Sequence, residues 1–380
     1  MKTTQLHYVN QQWVAASSAD FNFEQAQLAL AFGSRELVQR ADIYQHIQQQ
    51  FPQANVVLAS TSGEIIGTEV YDDTVVVTGV YFEKTIVRSF QKNITDFTDS
   101  FSVGEILMQE LNAFPEKLAT VFVLSDGTLI NGSELVSGFN KNNPNEVPIN
   151  GGLAGDGANF AQTATGLNQI AGQGNVIAIG FYGNDIQSGH GSFGGWDEFG
   201  KERTITKSDK NVLYEIDGKN ALDLYKEYLG PYADELPGSA LLFPLSIKIE
   251  GVEKNLVRTI LSLDESNKSM TFAGNLPVGS KVRLMKANFE KLIEASSVAA
   301  AYTLAQGNDN KTQLAILVSC VGRKLILQER TFEEVAAAEN VIGTQSCITG
   351  FYSYGEISPF NPGINCELHN QTMTITTFSE

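Results

Sequence analysis

Two glutamates occupy matching positions in this 380-residue sequence, and paired carboxylates commonly perform acid and base chemistry. Glu64 lies in STSGEI and Glu356 in YSYGEI, and in both segments Gly-Glu-Ile follows an apolar run. Because strand ends often line a crevice, both side chains are candidates for ligand binding. Two carboxyl groups with separated pKa values could also act as acid and base. Alternatively each accepts backbone N–H bonds in the turn that follows it, and the sequence does not show that the two meet.

One histidine stands in a stretch that combines glycines with aromatic rings, SGHGSFGGWDEFG at 188–200. Glycine loses more conformational freedom on folding than any other residue, so we predict a loop or lid that a flat apolar ligand orders. A neutral imidazole can ligate haem iron, which makes His190 a candidate metal ligand and Trp196 a candidate ligand contact. The alternative is that the rings fill the space beneath a surface loop.

A glycine-rich stretch at 151–157, GGLAGDG, and two arginines complete the candidates. The stretch lacks the lysine of a phosphate-binding P-loop. We interpret its glycines as positions where the backbone turns sharply or approaches a neighbour or ligand closely, with Gly152 and Asp156 as ligand-binding candidates. Arg258 and Arg323 could bind a carboxylate with two parallel hydrogen bonds, although an arginine near a strand end is often paired within its own chain.

The sequence carries none of the common catalytic signatures. It contains no G-x-x-x-x-G-K-[ST], no G-x-S-x-G and no H-E-x-x-H. Its cysteines, Cys320, Cys347 and Cys366, form no C-x-x-C pair, and Cys320 ends an apolar run, where we expect a buried structural thiol. We therefore predict a binding protein and not an enzyme.

The charge balance restricts the partners. Lys and Arg number 26 and Asp and Glu 43, which gives a net charge of −17 and argues against nucleic acid as a partner. No run of about 18 apolar residues is present, and the N-terminus lacks the basic and apolar regions of a leader. We expect a cytoplasmic protein without membrane insertion.

Three segments repeat a plan of alternating strands and helices. Their strands are predicted at 28–33, 55–67 and 74–82, at 120–127, 147–156 and 175–183, and at 314–323, 347–359 and 372–378. The pattern predicts an α/β fold in which repeated helix-strand units form mixed sheets covered by helices.

Helices and a domain boundary complete this plan. Helices are predicted at 36–51, 131–140, 289–305 and 331–343, with Asn288 as an N-cap. A stretch rich in Pro, Gly and acidic residues after residue 230 predicts a boundary between two packed domains, 1–230 and 231–380.

The order of several motifs resembles the FIST family, whose members join an N-terminal FIST region to a C-terminal one. The N-terminal motifs are NVVLASTSGEI (55–65), GGLAGD (151–156) and the HG…GW…FG stretch (190–200). The C-terminal motifs are FPLSI (243–247), FAGNLPVGSKVRLMKA (272–287), SCVGR (319–323) and GFYSYGEISP (350–359). The resemblance covers nearly the whole chain, with 1–230 as the FIST N-terminal domain and 231–380 as the FIST C-terminal domain.

The resemblance implies a sensory module that binds a small ligand and passes the event to a signalling partner. One branch of the family resembles haem-binding nitric-oxide sensors that regulate histidine kinases, and the His190 stretch with Trp196 is similar to that branch. The alternative is a sensor of an amino acid or another small metabolite without haem, in which Glu64, Glu356 and an arginine contact the charged groups of the ligand. The sequence leaves a homodimer open.

Overall fold

The computed structural model of the protein describes residues 1–15, 21–236, 238–249, 255–306, 312–359, 363 and 365–380. Within these ranges, no helix combines the length and the apolar character needed to cross a membrane.

The chain forms three related units and one insertion. Unit 1 comprises β1 (Lys2–Val9), β2 (Gln12–Ala15), β3 (Leu28–Gly33), α1 (Arg35–Val38), α2 (Ala41–Gln50), β4 (Asn55–Ser60), β5 (Glu64–Ile66), β6 (Glu69–Tyr71) and β7 (Val75–Tyr81). Unit 2 comprises β8 (Ile86–Asn93), α3 (Ser100–Leu111), β9 (Leu118–Ser125), α4 (Gly132–Lys141), β10 (Ile149–Leu153), β11 (Thr165–Leu167) and β12 (Asn175–Tyr182).

Unit 3 is interrupted by the insertion. It begins with β13 (Gln187–Phe193). The insertion comprises β14 (Asp197–Asp209), β15 (Val212–Ile216), β16 (Lys219–Asn220), α5 (Ala221–Leu229), β17 (Leu245–Lys248), β18 (Leu256–Arg258), β19 (Ile260–Asp264), β20 (Ser269–Phe272) and β21 (Lys281–Lys286). Unit 3 then continues with α6 (Phe289–Leu304), β22 (Leu314–Cys320), α7 (Val321–Leu327), α8 (Thr331–Ile342), β23 (Cys347–Ser353), β24 (Gly355–Pro359), β25 (Cys366–His369) and β26 (Met373–Ser379).

The three units share one strand topology. In each, a strand runs parallel to the next across a helical connection: β3 beside β4, β9 beside β10, and β22 beside β23. The last strand of each unit, β7, β12 or β26, then pairs antiparallel with the first of these two strands. The repeat predicted from the sequence is confirmed in all three copies.

Each unit also donates a short strand to the sheet of another unit. Strand β5 of unit 1 pairs with β23, β24 of unit 3 pairs with β10, and β11 of unit 2 pairs with β4. Backbone N–H to C=O bonds close a ring at this exchange: Ser62 to Tyr352 at 2.8 Å, Tyr354 to Leu153 at 3.2 Å, and Gly155 to Ser60 at 2.9 Å.

The three sheets enclose a common apolar core. Alternate side chains of the central strands, such as Phe32, Phe122 and Ile316, lie in this core, because successive residues of a strand face opposite sides of its sheet. The intervening side chains face outward against helices, as Ala31 does against the α2 side of unit 1. Helix α2 buries Ile43 and Ile47, one turn apart, which explains why this sequence forms an amphipathic helix there.

The insertion forms a separate apolar core around Ile205, Leu222, Ile247 and Phe272. Its strands lie in the order β18-β17-β21-β14-β15-β20-β19, with β16 paired to β15. The fold is therefore a mixed α/β assembly of a three-unit body and an inserted domain.

Most predicted helices are confirmed. Helix α6 begins after Asn288, whose side chain accepts a hydrogen bond from the backbone N–H of Lys291. Helices α4 and α8 lie within two residues of their predicted bounds. The helix predicted at 36–51 is instead divided into α1 and α2, with Gln39 and Arg40 between them.

The prediction of a loop at 188–200 is wrong. Residues of this stretch form β13 and the start of β14. A Cβ atom at Gly189 would lie 2.2 Å from the carbonyl oxygen of Thr303, and one at Gly191 would lie 2.1 Å from that of Ala299. The glycines therefore allow α6 to pack directly on the strand.

We expect that neither half of the chain folds alone. Sheets are completed across residue 230 by the pairings β5 with β23, β24 with β10 and β13 with β26, so each half lacks strands that bury its apolar faces. Fragments 1–230 and 231–380 should show no cooperative thermal unfolding when expressed separately and should associate when co-expressed. Circular dichroism melts and amide dispersion in NMR spectra test this. A cooperative melt of either isolated fragment would contradict it.

Candidate functional site

The ends of the parallel strands meet at one end of the three-unit body, which we call the strand-end pole. The ring of backbone bonds joins the carboxyl ends of β4, β10 and β23 there. Ligands of α/β proteins commonly bind outside the carboxyl ends of strands, so a ligand site is expected at this pole.

Glu64 and Glu356 lie at equivalent positions of the pole. Each carboxylate accepts hydrogen bonds from a hydroxyl three residues earlier and from the N–H and hydroxyl of a threonine that precedes the last strand of its unit. The donors are Thr61 and Thr74 for Glu64, and Ser353 and Thr372 for Glu356. Both carboxyl groups are buried, and their hydrogen bonds hold each turn against the neighbouring strand.

Burial dominates the acidity of these two groups. It raises the pKa of Glu64 to about 7 and that of Glu356 to about 8, against the opposing effect of their hydrogen bonds.

Unit 2 has no glutamate at the equivalent position, which is occupied by Thr165. Thr165 pairs with Ala59 of β4 in the same way as Glu64 pairs with Phe351 of β23. Neither glutamate is among the residues that line the two clefts described below.

Gly152 and Asp156 also have structural contacts. Gly152 lies opposite Glu356 in the pairing of β10 with β24, and a Cβ there would lie 2.6 Å from the side chain of Val318. Asp156 is buried and accepts hydrogen bonds from Arg35 Nε at 3.1 Å and from the N–H of Gln162 at 3.3 Å. Asp156 thereby holds the start of segment 156–163.

Arg323 binds a carboxylate, as its residue type suggested, but the carboxylate belongs to α8. Its guanidinium contacts Glu334 at 2.7 and 3.0 Å, and both side chains are fully buried. It also donates to the carbonyl oxygens of Gly194 and Leu292 at 2.7 and 2.6 Å. These contacts satisfy the buried charge and join α6, α7 and α8.

Arg258 connects the insertion to the three-unit body. It is 2% exposed, and its Nη1 donates to the carbonyl oxygen of Leu368 in β25 at 3.0 Å. Burial lowers the pKa of this guanidinium to about 10. Beside it, Asn131 Nδ2 donates to Asn275 Oδ1 at 3.1 Å, and the N–H of Asn275 donates to Ser133 Oγ at 3.2 Å.

The surroundings of His190 do not fit a haem. His190 is 3% exposed in β13 and lies opposite Thr376 of β26, on the face of the sheet that carries Ile316 in the common core. Trp196 packs against Leu292 and donates from its indole nitrogen to the carbonyl oxygen of Gln371 at 2.8 Å. A porphyrin at His190 would have to enter the apolar core beneath β13 and β26, and haem ligation by His190 stays a prediction.

A cleft lies between the pole and the insertion, and we call it the insertion cleft. Its volume is about 770 Å³. One wall is formed by residues 127–131, 160–162 and Tyr354, and the other by Asn211 and by residues 261–262 and 271–274 around the hairpin β19–β20. None of its lining residues is an Asp, Glu, Lys, Arg or His.

Two residues shape the body side of this cleft. Phe160 stacks on Tyr354 with ring centroids 4.7 Å apart and an interplanar angle of 17°. The Phe160 ring is 40% exposed, whereas Tyr354 is buried and its hydroxyl accepts a hydrogen bond from the Phe160 N–H at 2.9 Å. One face of the Phe160 ring is thus covered, and the ring is held at the cleft.

Asp126 fixes the neighbouring loop. Its carboxylate accepts hydrogen bonds from the N–H groups of Thr128 and Leu129, both at 2.7 Å, and from that of Gly174 at 2.9 Å. Sequence reasoning missed Asp126, Phe160 and Tyr354. The SDG turn after an apolar strand was a usable signal for Asp126, whereas nothing in the sequence distinguished Phe160.

A second cleft of about 690 Å³ lies beside α7. Its charged lining residues are Glu69, Asp72, Lys324 and Glu329. Lys324 forms an ion pair with Asp72 and donates to the carbonyl oxygen of Ser62 at 2.9 Å. Among the described residues, no cluster of three or more His, Cys, Asp or Glu side chains could hold a metal ion.

The buried glutamates predict a pH dependence of stability. As the pH rises from the unfolded pKa of about 4.5 towards 8, the unfolded chain releases these protons while the folded chain retains them. The free energy of unfolding should therefore fall across this window, by on the order of 3 kcal/mol for each group. The double variant Glu64→Gln, Glu356→Gln should flatten the dependence. Urea unfolding between pH 5 and 8 measures it, and an unchanged slope in the variant would refute the assignment.

We expect His190→Ala not to alter any haem spectrum, because His190 faces the common core. The measurement is the ultraviolet–visible spectrum of wild type and variant after addition of hemin, in ferric, ferrous and nitric-oxide-treated forms. A stoichiometric Soret band in the wild type that is lost in the variant would instead place the iron at His190.

Comparison with known proteins identifies the family. The chain is 26% identical over 247 aligned residues to the uncharacterized protein MJ1623 of Methanocaldococcus jannaschii, with 55% of this chain and 45% of that protein covered. It thus spans about half the length of this curated relative. Residues 27–219 match the FIST N domain and residues 221–359 match the FIST C domain. The chain therefore belongs to the FIST family, whose domains are sensory domains of signal transduction that bind small ligands.

Proposed function

We propose that this protein is a cytoplasmic sensory module that binds a small ligand in the insertion cleft. The observation that carries the proposal is a cleft of about 770 Å³ between two separately packed parts of the chain, at the carboxyl ends of parallel strands. Ligand sites commonly lie between domains and combine apolar surface with a few polar groups. The lining has this character, with Leu129, Phe160 and Leu261 beside Thr128 and Asn211.

The ligand would act by changing how the insertion sits on the three-unit body. Only a ligand that binds one arrangement better than another can shift the populations of the two. The polar contacts beside the cleft run from Arg258 to Leu368, from Asn275 to Asn131 and Ser133, and from Lys210 to Glu134. The ion pair of Lys210 with Glu134 is partly exposed, and such pairs contribute little to stability, so this contact can be exchanged for others at small cost. We propose that the resulting surface change is passed to a signalling partner such as a histidine kinase.

The role proposed is binding and not catalysis. The two matched glutamates, which could have acted as acid and base, are buried and hydrogen-bonded to Thr74 and Thr372, which precede neighbouring strands. An amino acid bound by Glu64, Glu356 and an arginine would require these groups to leave their present partners. Sensing of nitric oxide through haem has support from the family resemblance alone.

We expect Ala161→Trp to abolish ligand binding. Ala161 is exposed and lines the insertion cleft, so an indole there would occupy the cleft without disturbing the core. A metabolite library is screened first against the wild type by thermal shift, in which a ligand at 100 times its Kd adds about 2.7 kcal/mol of stability. Hits are then measured by calorimetry on the variant and on Phe289→Trp, a matched control at an exposed position outside the cleft.

Hydrogen exchange locates the bound ligand independently. Binding in the cleft should protect amides of residues 127–131 and 271–274, on its two walls. Ligands that still bind Ala161→Trp with wild-type affinity, or that protect other segments only, would show that the insertion cleft is not the sensory site.

A further inference from the structure

We infer that the ligand of the insertion cleft is an uncharged planar ring compound whose edge carries both hydrogen-bond donors and acceptors. This inference rests on the proposed function, because it concerns the same cleft. It is carried by the charge, the aromatic surface and the polar groups of the lining.

The lining offers no counter-ion. Its polar side chains are hydroxyls and amides, together with the phenol of Tyr354, which is neutral at neutral pH. A carboxylate or ammonium group that leaves water costs free energy unless a charged or strongly hydrogen-bonding partner replaces its hydration. The cleft therefore favours a neutral ligand over the zwitterion of an amino acid.

The aromatic surface favours a flat ligand. One face of Phe160 is covered by Tyr354, and the ring retains 40% of its exposure at the cleft. Aromatic rings pair preferentially in offset-stacked or edge-to-face arrangements, so a ligand ring could extend the existing stack. The backbone of Phe160 has φ of +51°, in the left-handed region that bulky residues rarely adopt. Strained backbone of this kind clusters at active sites and ligand sites.

The remaining lining supplies hydrogen bonds of both kinds. The amides of Gln162 and Gln173 are exposed at the cleft and carry donors and acceptors. Thr128 and Ser262 add hydroxyl groups on opposite walls. A lactam or amide edge, which presents N–H beside C=O, is the ligand chemistry that matches such a set.

Matched small molecules test each element of this inference by calorimetry. Uracil and hypoxanthine are neutral planar lactams, orotate is uracil with a carboxylate, and piperidin-2-one carries the lactam edge on a ring that is not aromatic. We expect hypoxanthine and uracil to bind. Orotate should bind at least about ten-fold more weakly because its carboxylate would leave water without a counter-ion. Piperidin-2-one should also bind at least about ten-fold more weakly because it cannot stack on Phe160, and stacking on one aromatic side chain is worth that much. Phe160→Ala should weaken hypoxanthine binding to a similar extent, whereas Phe289→Ala, an exposed phenylalanine outside the cleft, should not.

The outcomes separate this inference from the proposed function. Failure of both planar lactams to bind at millimolar concentration, or an unchanged affinity in Phe160→Ala, would overturn the ligand class. Tighter binding of orotate or leucine that Ala161→Trp abolishes would also overturn the class but retain the cleft as the sensory site. Binding of hypoxanthine that Ala161→Trp leaves unchanged would overturn both.

Discussion

The exchange of strands among the three units is the constraint on which the structure depends. Each six-stranded sheet of the body is completed by strands of another unit: β5 and β6 extend the sheet of unit 3, β24 and β25 that of unit 2, and β11 that of unit 1. The ring of backbone bonds through Ser62, Tyr354 and Gly155 fixes the spacing of the three sheets. The common core, with Phe32, Phe122 and Phe351, exists only when all three units are present.

This constraint explains why the most conspicuous repeated motif is structural. The Gly-Glu-Ile segments mark the start of the exchanged strands β5 and β24. Their glutamates each accept one hydrogen bond from the turn and two from a threonine that precedes the last strand of the unit, and their burial favours the protonated form near neutral pH. Unit 2 departs from the motif, and there the chain forms the 156–163 segment that carries Phe160 to the insertion cleft. The candidate site is therefore built where the repeat is broken.

The two buried arginines are likewise held by contacts within the protein. An unpaired charge in a protein interior is costly, so Arg323 is paired with Glu334, and Arg258 donates to carbonyl oxygens of two parts of the chain. These contacts connect helices or domains and leave little capacity for an external carboxylate. The polar groups that line the insertion cleft are neutral. We therefore infer an uncharged ligand there and not an amino acid, whose charged groups would need charged partners.

The sequence by itself determined the repeat, most of the helices, the N-cap at Asn288 and the FIST family, because these depend on local patterns and on the order of motifs. It also identified Glu64 and Glu356 as equivalent. Only the tertiary structure decided what these residues contact, since Thr74 and Thr372 are brought to them by strand pairing. The glycines around His190 show the reason most clearly: a glycine that permits a loop and one that permits close packing of α6 look the same until the partner is present. The insertion cleft was likewise not visible in the sequence, because residues 127–131, 160–162 and 271–274 meet only after the insertion packs on the three-unit body.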